Sequence, residues 1–119
     1  MSYMANAADF FSDLSDLHTE LAKWSDATFG DPSKRGPVGP LKHLSKEAME
    51  AADDPDNMEE YADCLLILMD AIRRRGWKLG TVVKAARQKV EKNKARKWPT
   101  IEEQDSGEAV EHKAGRDER

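Results

Sequence analysis

The chain has 119 residues, a net charge of -4 and a mean hydropathy of -0.80. Its longest apolar run, residues 64–69, is far shorter than the ~20 residues of a membrane-spanning helix, so we expect no membrane partner. The single cysteine excludes a disulfide framework and a multi-cysteine zinc site. The N-terminal residues lack the basic and apolar regions of a secretory signal, since Asp9 and Asp13 interrupt the apolar residues. These features predict a cytoplasmic protein with the length of one domain.

Apolar residues at spacings of three and four predict a first helix over about residues 9–27. They are Phe10, Leu14, Leu17, Leu21 and Trp24. Residues 29–40 contain three glycines and three prolines, which predicts a long loop. Loops of this length inside a compact domain are often functional.

A second helix is predicted over residues 41–52, with Pro40 fitting its first turn. The Asp/Pro-rich residues 53–56 end it. Asp56 then fits the N-cap of a third helix, and Glu59 fits the reciprocal position of a capping box.

The third helix is predicted to continue to about residue 75, with Gly76 at its C-terminal cap, and a fourth helix covers residues 81–96. The apolar run 64–69 covers every direction around the third helix, which is typical of a helix buried on all sides. Four short helices cannot surround it in so small a domain. We therefore predict an all-α bundle of four to five helices that self-associates through the third helix, as a dimer or a dimer of dimers.

Charge is distributed in blocks along the chain. Residues 41–63 carry eight acidic side chains and two lysines, whereas residues 81–98 carry seven basic side chains and one glutamate. Neighbouring acidic and basic segments suit a cation on one side of a site and an anion on the other. The alternative is that the two segments are solvated helix faces that attract each other. The charge pattern alone favours this alternative.

Two pairs of carboxylates are spaced three residues apart: Glu47 and Glu50 on the second helix, and Glu60 and Asp63 on the third. Residues at this spacing share a helix face, and each pair borders an apolar stripe. Carboxylates brought face to face repel each other unless a cation lies among them, and oxygen ligands favour Mg²⁺ or Mn²⁺. The sequence thus favours a metal site between two antiparallel helices. Ordinary surface acids paired with lysines are the alternative.

The fourth helix supplies positive charge. Lys89, Lys92, Asn93 and Arg96 recur at helical spacing, and such side chains are suited to binding phosphates. Metal on one wall and cations on the other is the arrangement that phosphoryl transfer requires.

The two acid pairs resemble the metal-binding signature of the all-α, MazG-like nucleoside triphosphate pyrophosphohydrolases. The flanking sequence resembles the dATP/dGTP pyrophosphohydrolase branch, which includes MazZ-type enzymes carried by phages. The stretches that carry this resemblance are Trp24-Ser25-x-x-Thr28-Phe29-Gly30, Gly36-Pro37-Val38, His43-Leu44-x-Lys46-Glu47, Glu60-Tyr61-Ala62-Asp63, Asp70-Ala71-x-x-Arg74-x-Gly76, Lys89-x-x-x-Asn93, Arg96-x-Trp98-Pro99 and Ala109-Val110-Glu111-His112. The chain departs from the branch after Pro99, where an aromatic residue is common.

The composition of residues 99–119 predicts a polar C-terminal tail. The resemblance implies a catalytic domain over residues 1–98 and a host-cytoplasmic location if a phage encodes the chain. It also implies a reaction in which a (deoxy)purine nucleoside triphosphate, dGTP ahead of dATP, yields the monophosphate and pyrophosphate. About two to three Mg²⁺ ions, for which Mn²⁺ can substitute, would promote attack of water on the α-phosphorus. Either Glu47 or Glu50 would take the proton.

The resemblance further implies two sets of residues. The metal ligands would be Glu47, Glu50, Glu60 and Asp63. The nucleotide-binding residues would be Trp24, Phe29, Arg35, His43, Lys46, Lys89, Lys92, Asn93 and Arg96.

Several interpretations stay open at this point. Trp24 either stacks on the base or packs in the core, and His43 either reads the base or is a partly buried structural residue. Asp70 either extends the acidic stripe or pairs with Arg74, and the pair is favoured. The alternative for the whole chain is a non-enzymatic helical oligomer that binds an acidic partner or nucleotide through its basic helix. Direct binding to nucleic acid is not expected, because the chain is acidic overall.

Overall fold

A computed structural model describes residues 7–113 of the chain. Residues 1–6 of the predicted catalytic domain and residues 114–119 of the predicted tail lie outside the described range. Within it are four α-helices, one 3₁₀ helix and no strand, which confirms the predicted all-α class. The elements are α1 (Ala7–Phe29), α2 (Val38–Asp53), α3 (Met58–Arg74), α4 (Leu79–Ala95) and a 3₁₀ helix (Ile101–Glu103). None of the described helices is long and apolar enough to cross a membrane.

The loop between α1 and α2 is shorter than predicted. Gly30, with a φ of 97°, follows the end of α1, and its N–H donates to the Asp26 carbonyl at 3.0 Å. Val38 begins α2 three residues earlier than predicted. Pro40 lies in the first turn as predicted, where its missing N–H removes no helical hydrogen bond. The connecting loop is therefore residues 30–37.

The N-cap of α3 is Asn57, so the predicted capping box of Asp56 and Glu59 is wrong. The Asn57 side chain accepts a hydrogen bond from the backbone N–H of Glu59 at 3.1 Å. A turn fixes this position, because the Asn57 N–H donates to the Asp54 carbonyl at 3.1 Å and leaves residue 57 extended. Asparagine and aspartate are equally good caps, so the sequence alone does not separate them.

The C-terminal end of α3 confirms the predicted role of Gly76. Its φ is 90°, a conformation that glycine adopts without a steric penalty. The N–H of Gly76 donates to the Arg73 carbonyl, and that of Trp77 donates to the Ile72 carbonyl. These are the two hydrogen bonds of a Schellman motif.

The core lies where α3 packs against α2 and α1. The buried part of α3 is its C-terminal half, including Met69, Ala71 and Ile72. Leu65 and Leu68 are 48% and 41% exposed, so the helices of one chain do not surround residues 64–69, as predicted. Two neighbouring helices cover only part of the circumference of α3. Self-association through the exposed side stays a prediction.

The chain divides into two compact units between Leu79 and Gly80, whereas the predicted boundary at residues 98–99 stays a prediction. In the second unit, the described part of the tail returns to the end of α4. The Trp98 indole donates to the Asn93 carbonyl at 2.7 Å, and the Lys113 N–H donates to the Lys97 carbonyl at 2.7 Å. The Trp98 ring also meets the His112 ring edge to face at 5.6 Å. These contacts hold the described part of the tail against the end of α4, although its composition is polar.

Candidate active site

The turn after Asp53 reverses the chain, so the acid-bearing segments of α2 and α3 lie side by side. Glu47, Glu60 and Asp63 each place one carboxylate oxygen within 4.8 Å of the others. We call these three residues the carboxylate cluster. The structure thereby brings together three of the four predicted metal ligands.

The environment of Glu60 suits a cation. Its Oε2 atom is buried and accepts no hydrogen bond within the described residues. Burial, followed by repulsion from Asp63 and Glu47, raises the pKa of Glu60. A buried, unpartnered carboxylate oxygen among negative charges is costly, and a divalent ion with oxygen ligands would remove that cost. The donor set therefore fits Mg²⁺ or Mn²⁺.

Glu50 lies beside the carboxylate cluster and is not one of its three members. Its hydrogen bond with Glu47, and then the Glu47 charge, raise the pKa of Glu50. The charge of Lys46 acts in the opposite direction, so that lysine lies near Glu50. A carboxylate with a raised pKa, exposed at the edge of a metal site, suits proton transfer.

A pocket of about 500 Å³ lies between α1, α3, the loop and the start of α2. Trp24 and Phe29 form an aromatic wall, with their ring centroids 5.4 Å apart in an edge-to-face arrangement. Arg35 and His43 also line the pocket, as do Leu66 and Ile67. Pockets of this size with mostly apolar walls and a few polar groups are typical of small-molecule sites. Four of the predicted nucleotide-binding residues therefore share one pocket, which Lys46 does not line.

His43 connects the pocket to the carboxylate cluster. It lines the pocket, and its Nε2 atom lies 2.9 Å from Glu47 Oε1. The residues are one helical turn apart on α2, so the helix itself fixes this contact. The pocket and the carboxylate cluster are thus linked through this one side-chain contact.

The pocket is backed by a buried polar network that the sequence analysis only partly predicted. Arg74 Nε donates to Asp70 Oδ2 at 2.9 Å, which confirms the favoured prediction that these two residues pair. The Ser25 hydroxyl donates to the same oxygen at 2.9 Å, and Arg74 Nη1 donates to the Arg35 carbonyl at 3.2 Å. Ser25 belongs to a stretch that carries the family resemblance, but its contact with Asp70 follows from no local spacing, because the two residues are 45 positions apart.

The predicted phosphate-binding residues lie in the second unit, on α4 and, for Arg96, directly after its end, and they form a cationic group. Arg96 Nη1 donates to Asn93 Oδ1 at 3.0 Å. Repulsion from Arg96, then burial and repulsion from Lys92, lower the pKa of Lys89. Three cations thus crowd one side of α4, and a bound anion would relieve their mutual repulsion.

Comparison with solved structures places the fold in the MazG-like class. A cyanophage S-2L MazG-like pyrophosphohydrolase, bound to dGDP and three catalytic Mn²⁺ ions per active site, matches with a TM-score of 0.60 and 28% sequence identity. The match covers 85% of this chain and 93% of the cyanophage chain. More specifically, the sequence model of the dATP/dGTP pyrophosphohydrolase family matches residues 17–116, and the chain belongs to this family.

The chain is also similar to the Eaa protein of Salmonella phage P22. The two are 50% identical over 83 residues, which cover 70% of this chain and 25% of the phage protein. The match thus spans about a quarter of the length of this relative.

Proposed function

We propose that the chain is a metal-dependent pyrophosphohydrolase that converts a purine deoxynucleoside triphosphate to the monophosphate and pyrophosphate. One observation carries the proposal: the aromatic-walled pocket adjoins the carboxylate cluster through the 2.9 Å contact of His43 with Glu47. A nucleoside in the pocket would extend its phosphates toward the carboxylates. Membership of the dATP/dGTP pyrophosphohydrolase family supports the same reaction.

In this proposal the carboxylate cluster holds divalent ions, with Glu50 at its edge. When bound, such ions polarise phosphate oxygens and neutralise the charge that develops during phosphoryl transfer. The Glu50 carboxylate accepts the proton of the attacking water. It is the better placed of the two predicted bases, because Glu47 is held in the cluster and by His43 and because the pKa of Glu50 is raised.

The cationic group on α4 would bind the phosphates through Lys89, Lys92, Asn93 and Arg96. Charged donors make short, strong hydrogen bonds to phosphate oxygens. Phosphate binding would also relieve the repulsion that lowers the pKa of Lys89. Trp24 and Phe29 would hold the base by aromatic contact.

We propose dGTP as the preferred substrate and dATP as the second. The family description covers both dATP and dGTP, and the cyanophage structure holds dGDP. Mg²⁺ is the proposed resident ion, with Mn²⁺ able to replace it. We further propose that the active enzyme is a homo-oligomer.

A product assay tests the reaction. Each common ribo- and deoxynucleoside triphosphate is incubated with the chain, with Mg²⁺, with Mn²⁺ or with a chelator, and the products are resolved by ion-exchange chromatography. We expect monophosphate and pyrophosphate only when metal is present, with dGTP consumed fastest. Diphosphate and orthophosphate would show attack at the γ-phosphorus instead. No turnover of any nucleotide would contradict the proposal and favour a binding protein.

A further inference from the structure

Arg74 is an arginine inside the pocket wall whose donors are already engaged by the protein. Its side chain is 3% exposed. Nε donates to Asp70 Oδ2 at 2.9 Å, Nη1 to the Arg35 carbonyl at 3.2 Å and Nη2 to the Ser25 hydroxyl at 3.1 Å. Its guanidinium carbon also lies 5.8 Å from the centroid of the Phe29 ring, within the range of a cation–π contact.

These contacts join three separate parts of the pocket. Ser25 and Phe29 belong to the end of α1, Arg35 belongs to the loop, and Asp70 belongs to α3. The planar fork of an arginine can bind several acceptors at fixed angles, which the single ammonium of a lysine cannot do. Arg74 thus connects the end of α1 and the loop to α3.

The same helix carries the metal-binding carboxylates. Glu60, Asp63, Ile67, Asp70 and Arg74 follow one another at spacings of three and four, so they share one face of α3. At a rise of 1.5 Å per residue, Arg74 lies about 16 Å along the axis from Asp63. The helix is therefore a rigid connection between the wall that Arg74 holds and the end that carries Glu60 and Asp63.

We infer that Arg74 is a positioning residue that holds the α1 end and the loop as the nucleoside-binding wall, at a fixed distance from the carboxylate cluster. The inference rests on the proposed function. It assigns to Arg74 no contact with substrate, because its described donors are directed at Asp70, Ser25 and the Arg35 carbonyl.

The neighbouring arginine provides a matched control. Arg73 also binds Asp70, through Oδ1, and it pairs with Asp26 at 2.8 Å. It does not line the pocket or contact the loop carbonyl within the described residues. A Lys substitution at residue 73 therefore perturbs the same carboxylate and leaves the Arg74 contacts with Ser25 and the Arg35 carbonyl in place.

The test compares Arg74→Lys, Arg73→Lys and the unmodified chain in KM and kcat for dGTP and in the Kd for Mn²⁺ alone. For Arg74→Lys we expect KM to rise by about tenfold or more, since misplacement of a binding wall weakens substrate binding. We expect little change in kcat or in the Kd for Mn²⁺. For Arg73→Lys all three should stay within about twofold of the unmodified chain, because that pair is partly exposed.

Equal KM values for the two variants would overturn the positioning role, and so would parallel losses of dGTP and Mn²⁺ binding by Arg74→Lys. If Arg74→Lys does not fold, Ser25→Ala tests the same wall by removing one Arg74 acceptor, and we expect a smaller rise in KM. An unchanged KM in Ser25→Ala would then overturn the inference. Absence of turnover by the unmodified chain would instead contradict the proposed function itself.

Discussion

The surroundings of three carboxylates shift their pKa values: those of Glu50 and Glu60 are raised, and that of Asp70 is lowered. Glu50 and Glu60, at the proposed metal site, have raised pKa values because nearby groups repel their charge or exclude water from them. Burial alone would raise the pKa of Asp70, but hydrogen bonds from Arg74, Arg73 and Ser25 outweigh it and lower that pKa. The charge of Asp70 is therefore balanced by the arginines that it pairs with. The charges of Glu50 and Glu60 are suited to a cation bound from solution.

Two substitutions separate metal binding from proton transfer. Asp63→Asn removes one charge from the carboxylate cluster, so we expect loss of both Mn²⁺ binding and turnover. Glu50→Gln should keep Mn²⁺ binding and reduce kcat by about 10²–10⁴-fold, the usual contribution of a general base. Mn²⁺ binding is measured by titration calorimetry and folding by circular dichroism.

Glu59→Gln is the matched control for both substitutions. Glu59 is an exposed acid beside Glu60 and is not a member of the carboxylate cluster, so full activity is expected. Undiminished turnover in both Asp63→Asn and Glu50→Gln would contradict the assignment of the site.

Asp70 predicts a pH dependence of stability. Because its pKa is below the ordinary value of 3.8, its contribution to the free energy of unfolding is present above that value. The contribution is lost as pH falls through the lower, folded-state pKa. We expect the unmodified chain to lose stability below about pH 4, and Asp70→Asn to be less stable at neutral pH with a flatter acid limb.

Urea denaturation of both chains across this pH range checks that expectation. Glu50 and Glu60 act in the opposite direction, because protonation of a carboxylate with a raised pKa relieves repulsion in the folded state. Both chains contain them, so the difference between the two curves isolates Asp70. Parallel curves would show that Asp70 is not stabilised by its ion pairs.

At the scale of elements, the end of α3 depends on one backbone conformation. Gly76 has a φ of 90°, and a side chain at such a φ costs about 1–2 kcal/mol. We expect Gly76→Ala to lower the free energy of unfolding by that amount in chemical denaturation. Gly80→Ala is the control, because Gly80 lies within α4 without a positive φ and a Cβ there meets no atom within 4 Å. Equal stability of the two variants would contradict the role of Gly76.

Periodicity and the positions of glycine and proline were sufficient to predict the four helices within a few residues. They were also sufficient to predict that the acid pairs of α2 and α3 meet, because a short turn between two helices leaves little choice of direction. The pocket was harder to predict. Its backing depends on Ser25 meeting Asp70 and on Arg74 meeting a loop carbonyl, and neither contact follows from a local spacing.

At the scale of the whole molecule, α3 presents an apolar stripe to solvent. Met58, Tyr61, Leu65 and Leu68 recur at spacings of three and four and are 82%, 55%, 48% and 41% exposed. Exposed apolar patches of this kind mark interaction surfaces. The stripe supports the predicted self-association, because a second copy could cover the side of α3 that α1 and α2 leave open.

Leu65→Lys tests this surface by placing a charge within the stripe. We expect self-association to weaken by about tenfold or more, measured as the dissociation constant in analytical ultracentrifugation. Ile101→Lys is the control, since Ile101 is also an exposed apolar residue and lies away from α3 in the sequence. Assembly of Leu65→Lys that matches the control would contradict a role for the stripe.

The central claim is that a carboxylate site beside a nucleoside pocket directs water to the α-phosphorus. The most direct measurement is hydrolysis of dGTP by the chain with Mn²⁺ in water enriched in ¹⁸O, followed by mass spectrometry of both products. We expect one ¹⁸O atom in dGMP and none in pyrophosphate, and no reaction when a chelator is present. Label in pyrophosphate or orthophosphate, or turnover that a chelator does not stop, would contradict the claim.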